Sequence, residues 1–114
     1  MRNISTALML LTLTFPAWAT EPVVQTLSIH DNGFEPTRLE VPAYTKVKLI
    51  LRNDSSQPAE FESTDLSQEV ELASHDQTTI YLGPLKAGTY HFFNDFDDSV
   101  RGTVIVKPAA QEEQ

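Results

Sequence analysis

The sequence predicts an all-β domain, a Greek-key β-sandwich of about seven short strands. Apolar and polar residues alternate in several short runs, which is the period of a half-buried strand. Turn residues such as glycine, proline and asparagine separate these runs, and no stretch keeps a helical period. With 114 residues, the chain has room for one domain around one core.

The strands can be placed in chain order from these two signals. The expected strands are residues 24–30, 38–42, 46–52, 70–72, 78–82, 90–93 and 103–107. The second ends at Pro42, which favours a sheet edge because proline cannot donate a ladder hydrogen bond. The third alternates apolar with basic side chains from Lys46 to Arg52, as a half-buried strand does. Residues 53–69 form the longest predicted loop, and a loop of that length favours a functional segment.

The first 19 residues have the three regions of a secretory signal peptide. A positive start at Met1-Arg2-Asn3 precedes the apolar run 7–15, and Ala17-Trp18-Ala19 resembles a cleavage site. The apolar run is too short to span a bilayer. We therefore expect a signal peptide over residues 1–19, a mature protein that starts at Thr20 and a periplasmic location. The folded domain should cover residues 20–108, followed by a disordered tail over 109–114. An uncleaved anchor or a buried first strand is the alternative.

Composition limits the class of partner and of metal site. The net charge of −8 argues against nucleic acid and anionic lipid surfaces, and we expect no membrane insertion of the mature protein. The acidity suits a cation or a basic partner, or it keeps an exported domain soluble. The chain has no cysteine, so packing without disulfides must hold it together.

Two regions of the chain carry a resemblance to a known family. The segments that carry the resemblance are Phe34 to Ala43, Lys46-Val47-Lys48-Leu49, Asn53, Glu60-Phe61-Glu62-Ser63 with Asp65-Leu66, and Gly83 to Tyr90 with Phe92-Phe93. Together they resemble the EfeO-type cupredoxin-like domain, especially the small periplasmic cupredoxins of ferrous-iron permease systems. The resemblance covers nearly the whole predicted domain. It implies a cupredoxin sandwich, a periplasmic location and a role with iron or copper beside an uptake permease.

The sequence departs from this family where a metal would be expected. An aromatic strand, a short loop and a valine-rich strand form the frame in which blue-copper proteins carry Cys-x-x-His. Here Asn94 occupies the cysteine position and Asp97 the histidine position. A type 1 copper site is excluded, because it needs two histidines and a cysteine. The site has either changed to oxygen ligands or been lost. The second departure from the family is Tyr44, which replaces a turn glycine.

Two pairs of acidic residues are the candidate metal ligands. Glu60 and Glu62 should share one face of an extended segment, and Asp95 and Asp97 are expected to be related in the same way. In the cupredoxin frame both segments lie at one end of the sandwich. Crowded carboxylates repel unless protons or a cation lie between them, and their oxygens suit hard ions. The candidate ligands are Glu60, Glu62, Asp95, Asp97 and, from the strand that leads to the site, His91. The alternative is that all five are solvated surface residues.

Three hypotheses for function remain open at this point. The first is a periplasmic metal-binding accessory protein of an iron uptake system, with iron or copper as the suspected ion. Its partner would be a membrane iron permease or another periplasmic protein. The second is a metal-free interaction domain that has kept the fold, and the third is a copper redox protein with an unusual site that includes His91. No catalytic residue is predicted, and any role in iron oxidation would be as part of a complex.

Overall fold

A computed structural model describes residues 23–108, which form nine strands in two sheets and no helix. The predicted signal peptide and the predicted tail lie outside the described residues. The strands are β1 (Val23–His30), β2 (Gly33–Glu35), β3 (Arg38–Pro42), β4 (Val47–Asn53), β5 (Ala59–Ser63), β6 (Gln68–Leu72), β7 (Gln77–Leu82), β8 (Gly88–Asn94) and β9 (Asp97–Lys107). The prediction of an all-β domain is confirmed. Over the described range no helix is long and apolar enough to cross a membrane.

The two sheets have strand orders β2-β1-β4-β7 and β3-β9-β8-β5-β6. β1 pairs with β4 and β3 with β9 in parallel, and the remaining pairs are antiparallel. The inward side chains of β4, Val47, Leu49 and Leu51, are fully buried, as the alternation from Lys46 to Arg52 predicts. β3 is an edge strand, which agrees with its termination at Pro42.

Three phenylalanines pack in the centre of the core. The ring centroid of Phe92 lies 4.8 Å from that of Phe34 and 5.2 Å from that of Phe61. Gly102 is paired with Phe92 across the β8–β9 ladder, and a Cβ atom at Gly102 would come within 2.4 Å of the Phe92 ring. Glycine is needed at this position because the ring fills the space of a side chain.

The expectation of a continuous loop over residues 53–69 is wrong. This stretch contains β5 and the start of β6. Ala59, Phe61 and Ser63 are buried, and they alternate with Glu60 and Glu62 on the outer face. β5 is only five residues long and β2 only three, so neither run is long enough to establish a strand period by itself.

The turn after β3 keeps a glycine-like backbone without a glycine. Tyr44 has a φ of 54°, in the left-handed region, and its backbone N–H donates to the Leu85 carbonyl at 2.7 Å. Its side chain is 72% exposed, so side-chain packing does little to offset the steric cost of this conformation.

Candidate metal centre

A buried asparagine fixes the loop that leads to the acidic strand β5. Asn53 ends β4, and its Nδ2 donates to the carbonyls of Gln57 at 2.9 Å and Leu72 at 3.2 Å. Its Oδ1 accepts the backbone N–H of Ser55 at 3.0 Å. Because these bonds satisfy the backbone of a short loop, the start of β5 at Ala59 is held in one place.

Three of the predicted ligands come together on the outer face of the five-stranded sheet. Glu60, Glu62 and Asp95 each offer a carboxylate oxygen, and these oxygens lie within 4.8 Å of one another. Glu60 is only 8% exposed, whereas Glu62 is half-buried and Asp95 is exposed. The backbone N–H of Asp95 donates to the Glu60 carbonyl at 2.9 Å, which joins the turn to β5.

A fourth carboxyl group, that of Glu69, belongs to the same surroundings. The β5–β6 register pairs Glu69 with Glu62, and the Glu69 carboxyl hydrogen-bonds that of Glu60. Sequence reasoning missed it because residue 69 was assigned to the long loop. The signal was present, since Glu69 and Glu71 alternate with Val70 and Leu72. These four residues, Glu60, Glu62, Glu69 and Asp95, are called the carboxylate cluster below.

The carboxylate cluster favours protonation in the absence of a cation. The hydrogen bond from Glu69, followed by burial, raises the pKa of Glu60 from 4.5 to about 7. Burial and then the nearby charge of Asp95 also raise the pKa of Glu62. Within residues 23–108, no lysine, arginine or histidine forms an ion pair with any of the four. Protons or a cation are therefore needed to offset this concentration of negative charge.

Asp97 does not join the carboxylate cluster. Asp95 and Phe96 form the two-residue turn between β8 and β9, so residues 95–97 lack the extended geometry expected from the sequence. The Asp97 Oδ1 accepts the backbone N–H of Ser99 at 3.2 Å and its hydroxyl at 2.6 Å. The carboxyl group is thus engaged within its own strand.

His91 also lies apart from the grouped carboxylates. It is exposed on β8, and its Nδ1 lies 3.1 Å from the Oδ2 of Asp65. The same oxygen accepts the backbone N–H of His91 at 2.8 Å. These hydrogen bonds, the backbone one first, lower the pKa of Asp65. The pair fixes one imidazole nitrogen and the loop that contains Asp65.

Asn94, at the blue-copper cysteine position, is a structural residue. It is 8% exposed, and its Oδ1 accepts the backbone N–H of Glu60 at 2.9 Å and that of Phe96 at 3.2 Å. One side chain therefore ties β5 to the β8–β9 turn. Asn94 helps to hold Glu60 and Asp95 near each other, a role that its place in the sequence did not reveal.

Both residues that replace the blue-copper ligands line one cavity. This cavity has a volume of about 510 Å³ and lies at the end of the sandwich beside the β8–β9 turn. Asn94 and Asp97 contribute to its wall, whereas no member of the carboxylate cluster does. The end of the fold that resembles a copper site therefore contains two separate features, an acidic cluster and an open cavity.

The sequence matches the cupredoxin-like domain family over residues 3–106. The chain belongs to this family. It is 42% identical over 81 residues to the uncharacterized protein RP394 of Rickettsia prowazekii (strain Madrid E), a match that covers 70% of this chain and 65% of that protein. The chain thus spans less than two thirds of the length of this relative.

Solved cupredoxins share the fold at low sequence identity. Auracyanin A, a "blue" copper protein from Chloroflexus aurantiacus, is 15% identical with a TM-score of 0.64, and the match covers 76% of this chain and 100% of that chain. The metal binding domain of the Cu(I) exporting P-type ATPase CopA of Streptococcus pneumoniae D39, solved with Cu(I), is 14% identical with a TM-score of 0.63. That match covers 76% of this chain and 89% of the domain. Relatives of this fold therefore include copper-binding proteins.

Proposed function

We propose that this cupredoxin-like protein is exported to the periplasm and binds a metal cation there as an accessory protein of an iron uptake system. The observation that supports this most strongly is the carboxylate cluster, in which Glu60, Glu62 and Asp95 approach within 4.8 Å and no described basic side chain neutralises them. Its donors are all oxygens, which suit hard ions such as ferric iron, manganese, magnesium or calcium.

The copper chemistry of the fold's blue-copper members does not fit this donor set. A type 1 site needs a cysteine thiolate, and the whole chain has no cysteine. Cuprous copper favours sulfur ligands, which are absent from the carboxylate cluster. Iron is therefore a better match than copper to the residues present.

The positions of the ligands favour binding with little rearrangement. Glu60 and Glu62 lie on β5, Glu69 lies on β6, and Asp95 is tied to β5 by its backbone hydrogen bond. Ligands on paired strands lose little further freedom when a cation binds. A cation would displace the proton shared by Glu60 and Glu69, so binding should compete with protonation.

The role in iron uptake rests on the resemblance to periplasmic cupredoxins of iron permease systems. A cluster of carboxylates without a redox-tuning ligand suits a protein that holds an ion and presents it. The receiver would be a membrane iron permease or another periplasmic protein. Any part in iron oxidation would belong to the complex.

Thermal unfolding with and without metal tests this function. Manganous ion, or ferrous ion without oxygen, should raise the Tm of the mature protein, with a stabilisation of about 2.7 kcal/mol at a hundredfold excess over Kd. Glu60→Gln combined with Glu62→Gln should abolish this rise. Asp97→Asn is the matched control, because Asp97 lies outside the carboxylate cluster, and it should retain the rise.

A metal-free interaction domain is the second candidate, and one observation favours it. The raised pKa of Glu60, caused first by its hydrogen bond with Glu69, favours a cluster that holds a proton in place of a cation. Melting curves that respond to no metal, in the native protein and both variants, would support this candidate over the first.

A further inference from the structure

We propose that the cavity beside the β8–β9 turn binds a basic side chain, a lysine in particular, from a peptide segment of a partner protein. The cavity of about 510 Å³ lies among the β1–β2 turn, the β4–β5 loop, β6 and the β8–β9 hairpin. It shares no residue with the carboxylate cluster. The proposal therefore does not depend on the proposed metal function.

The charge of the cavity wall favours a cationic occupant. Asp31, Glu71 and Asp97 line it, and among residues 23–108 neither lysine nor arginine does. The remaining titratable lining group is His30, whose Nε2 is 3.2 Å from a Glu35 carboxylate oxygen. A basic side chain entering the cavity would meet three carboxylates and no fixed cation.

Two of these carboxylates are held in place but keep a free oxygen. The Asp31 Oδ1 accepts the backbone N–H and the hydroxyl of Ser56, both at 2.8 Å. The Asp97 Oδ1 accepts from Ser99 in the same way. In the described part of the chain, neither Oδ2 atom has a hydrogen-bond donor. Each Asp therefore has an oriented oxygen available for an ammonium group.

The apolar part of the wall suits an alkyl stem. Pro58, Phe96 and Val100 line the cavity. The Phe96 side chain is 51% exposed, which is high for a phenylalanine and leaves part of its ring available. A lysine stem can pack on such a surface while its ammonium group reaches the carboxylates, and the ring attracts a cation.

A buried donor in the wall indicates an occupant with an acceptor oxygen as well. Asn94 is 8% exposed, and its Oδ1 is used by two backbone N–H groups. Its Nδ2 has no hydrogen-bond partner among residues 23–108. Every fully buried polar side-chain atom in that range has a partner, so this Nδ2 is not fully buried. The Nδ2 is therefore accessible, and Asn94 lines the cavity. A peptide carbonyl beside the lysine stem would accept from it, which a simple alkyl amine could not.

Titration of ¹⁵N-labelled mature protein with three small probes tests this site. N-acetyl-lysine methylamide has the charge and the carbonyls, n-pentylamine has only the charge, and N-acetyl-norleucine methylamide has only the carbonyls. We expect the lysine probe to shift the side-chain amide signal of Asn94 and to bind about tenfold more tightly than either of the others. Equal binding of the norleucine probe, or no shift at Asn94, would overturn the proposal. Equal binding of n-pentylamine would show that a free amine suffices and would overturn the peptide assignment.

Variants with matched charge separate this site from general attraction. Asp31→Asn with Glu71→Gln should weaken the lysine probe about tenfold, and an asparagine at residue 31 keeps an acceptor for Ser56. Glu40→Gln with Asp65→Asn removes the same charge at two residues that line neither the cavity nor the carboxylate cluster, and it should leave binding unchanged. An equal loss in both double variants would show that only net charge matters and would overturn the site.

Discussion

The carboxylate cluster and the cavity both include residues of the β8–β9 hairpin, yet negative charge is stabilised differently in the two. In the cluster, Glu60, Glu62 and Asp95 are within 4.8 Å of one another, and a neighbouring carboxyl hydrogen bond raises the pKa of Glu60 to about 7. At the cavity, hydrogen bonds from Ser56 lower the pKa of Asp31. Crowding and burial make the first region take up protons or a cation, whereas isolation and hydrogen bonding keep Asp31 charged. Carboxylates therefore suit the proposed metal in the carboxylate cluster and the proposed basic side chain in the cavity.

Removal of Asn94, which lines the cavity and accepts the backbone N–H of Glu60, should have the largest effect. Asn94→Ala leaves the backbone N–H groups of Glu60 and Phe96 without their acceptor. We expect the free energy of unfolding to fall by about 2 to 4 kcal/mol, because each unsatisfied donor costs on the order of 1–3 kcal/mol. Urea unfolding measures this loss. Asn94→Asp keeps an acceptor oxygen and should lose less, so equal losses would show that the hydrogen bonds are not the cause.

The pH dependence of stability should distinguish the two regions without any ligand. The folded state holds a proton on Glu60 between pH 4.5 and about 7, where the unfolded chain has released it. The free energy of unfolding should therefore fall as pH rises through this window. The lowered pKa values of Asp31 and Asp65 act in the opposite sense, with stability lost as pH falls below about 4.

Denaturation in metal-free buffer at a series of pH values measures this slope. Glu60→Gln should flatten it, whereas Glu40→Gln, an acidic residue outside both regions, should leave it unchanged. If the free energy of unfolding of Glu60→Gln still falls over the same pH window, groups other than Glu60 cause the fall.

The sequence predicted those features that depend on local alternation and on the order of strands. The period from Lys46 to Arg52 identified β4, and the family frame brought Glu60, Glu62 and Asp95 to one end of the sandwich. Strand β5 was not delimited because a run of five residues shows little period. Glu69 required the register of the β5–β6 hairpin, which could not be set without the bounds of β5.

Other errors came from turn geometry and from side-chain hydrogen bonds. Asp97 was expected beside Asp95, but a tight turn separates the two, and alternation holds only in extended backbone. Asn94 joins β5 to the β8–β9 turn because its Oδ1 lies within hydrogen-bond distance of two backbone N–H groups from different segments. Such distances cannot be derived from the sequence. The position of Asn94 in the family frame showed only which ligand it replaces.

Calorimetric titration of the mature protein with manganous ion and, without oxygen, ferrous ion tests the central claim most directly. We expect one binding site whose affinity is higher at about pH 8 than at about pH 5, because protons compete for the carboxylate cluster. Glu60→Gln with Glu62→Gln should remove the binding heat, while Asp97→Asn should preserve it. Absence of binding in the native protein, or loss of binding in Asp97→Asn with retention in the double variant, would contradict the assignment of the metal to the carboxylate cluster.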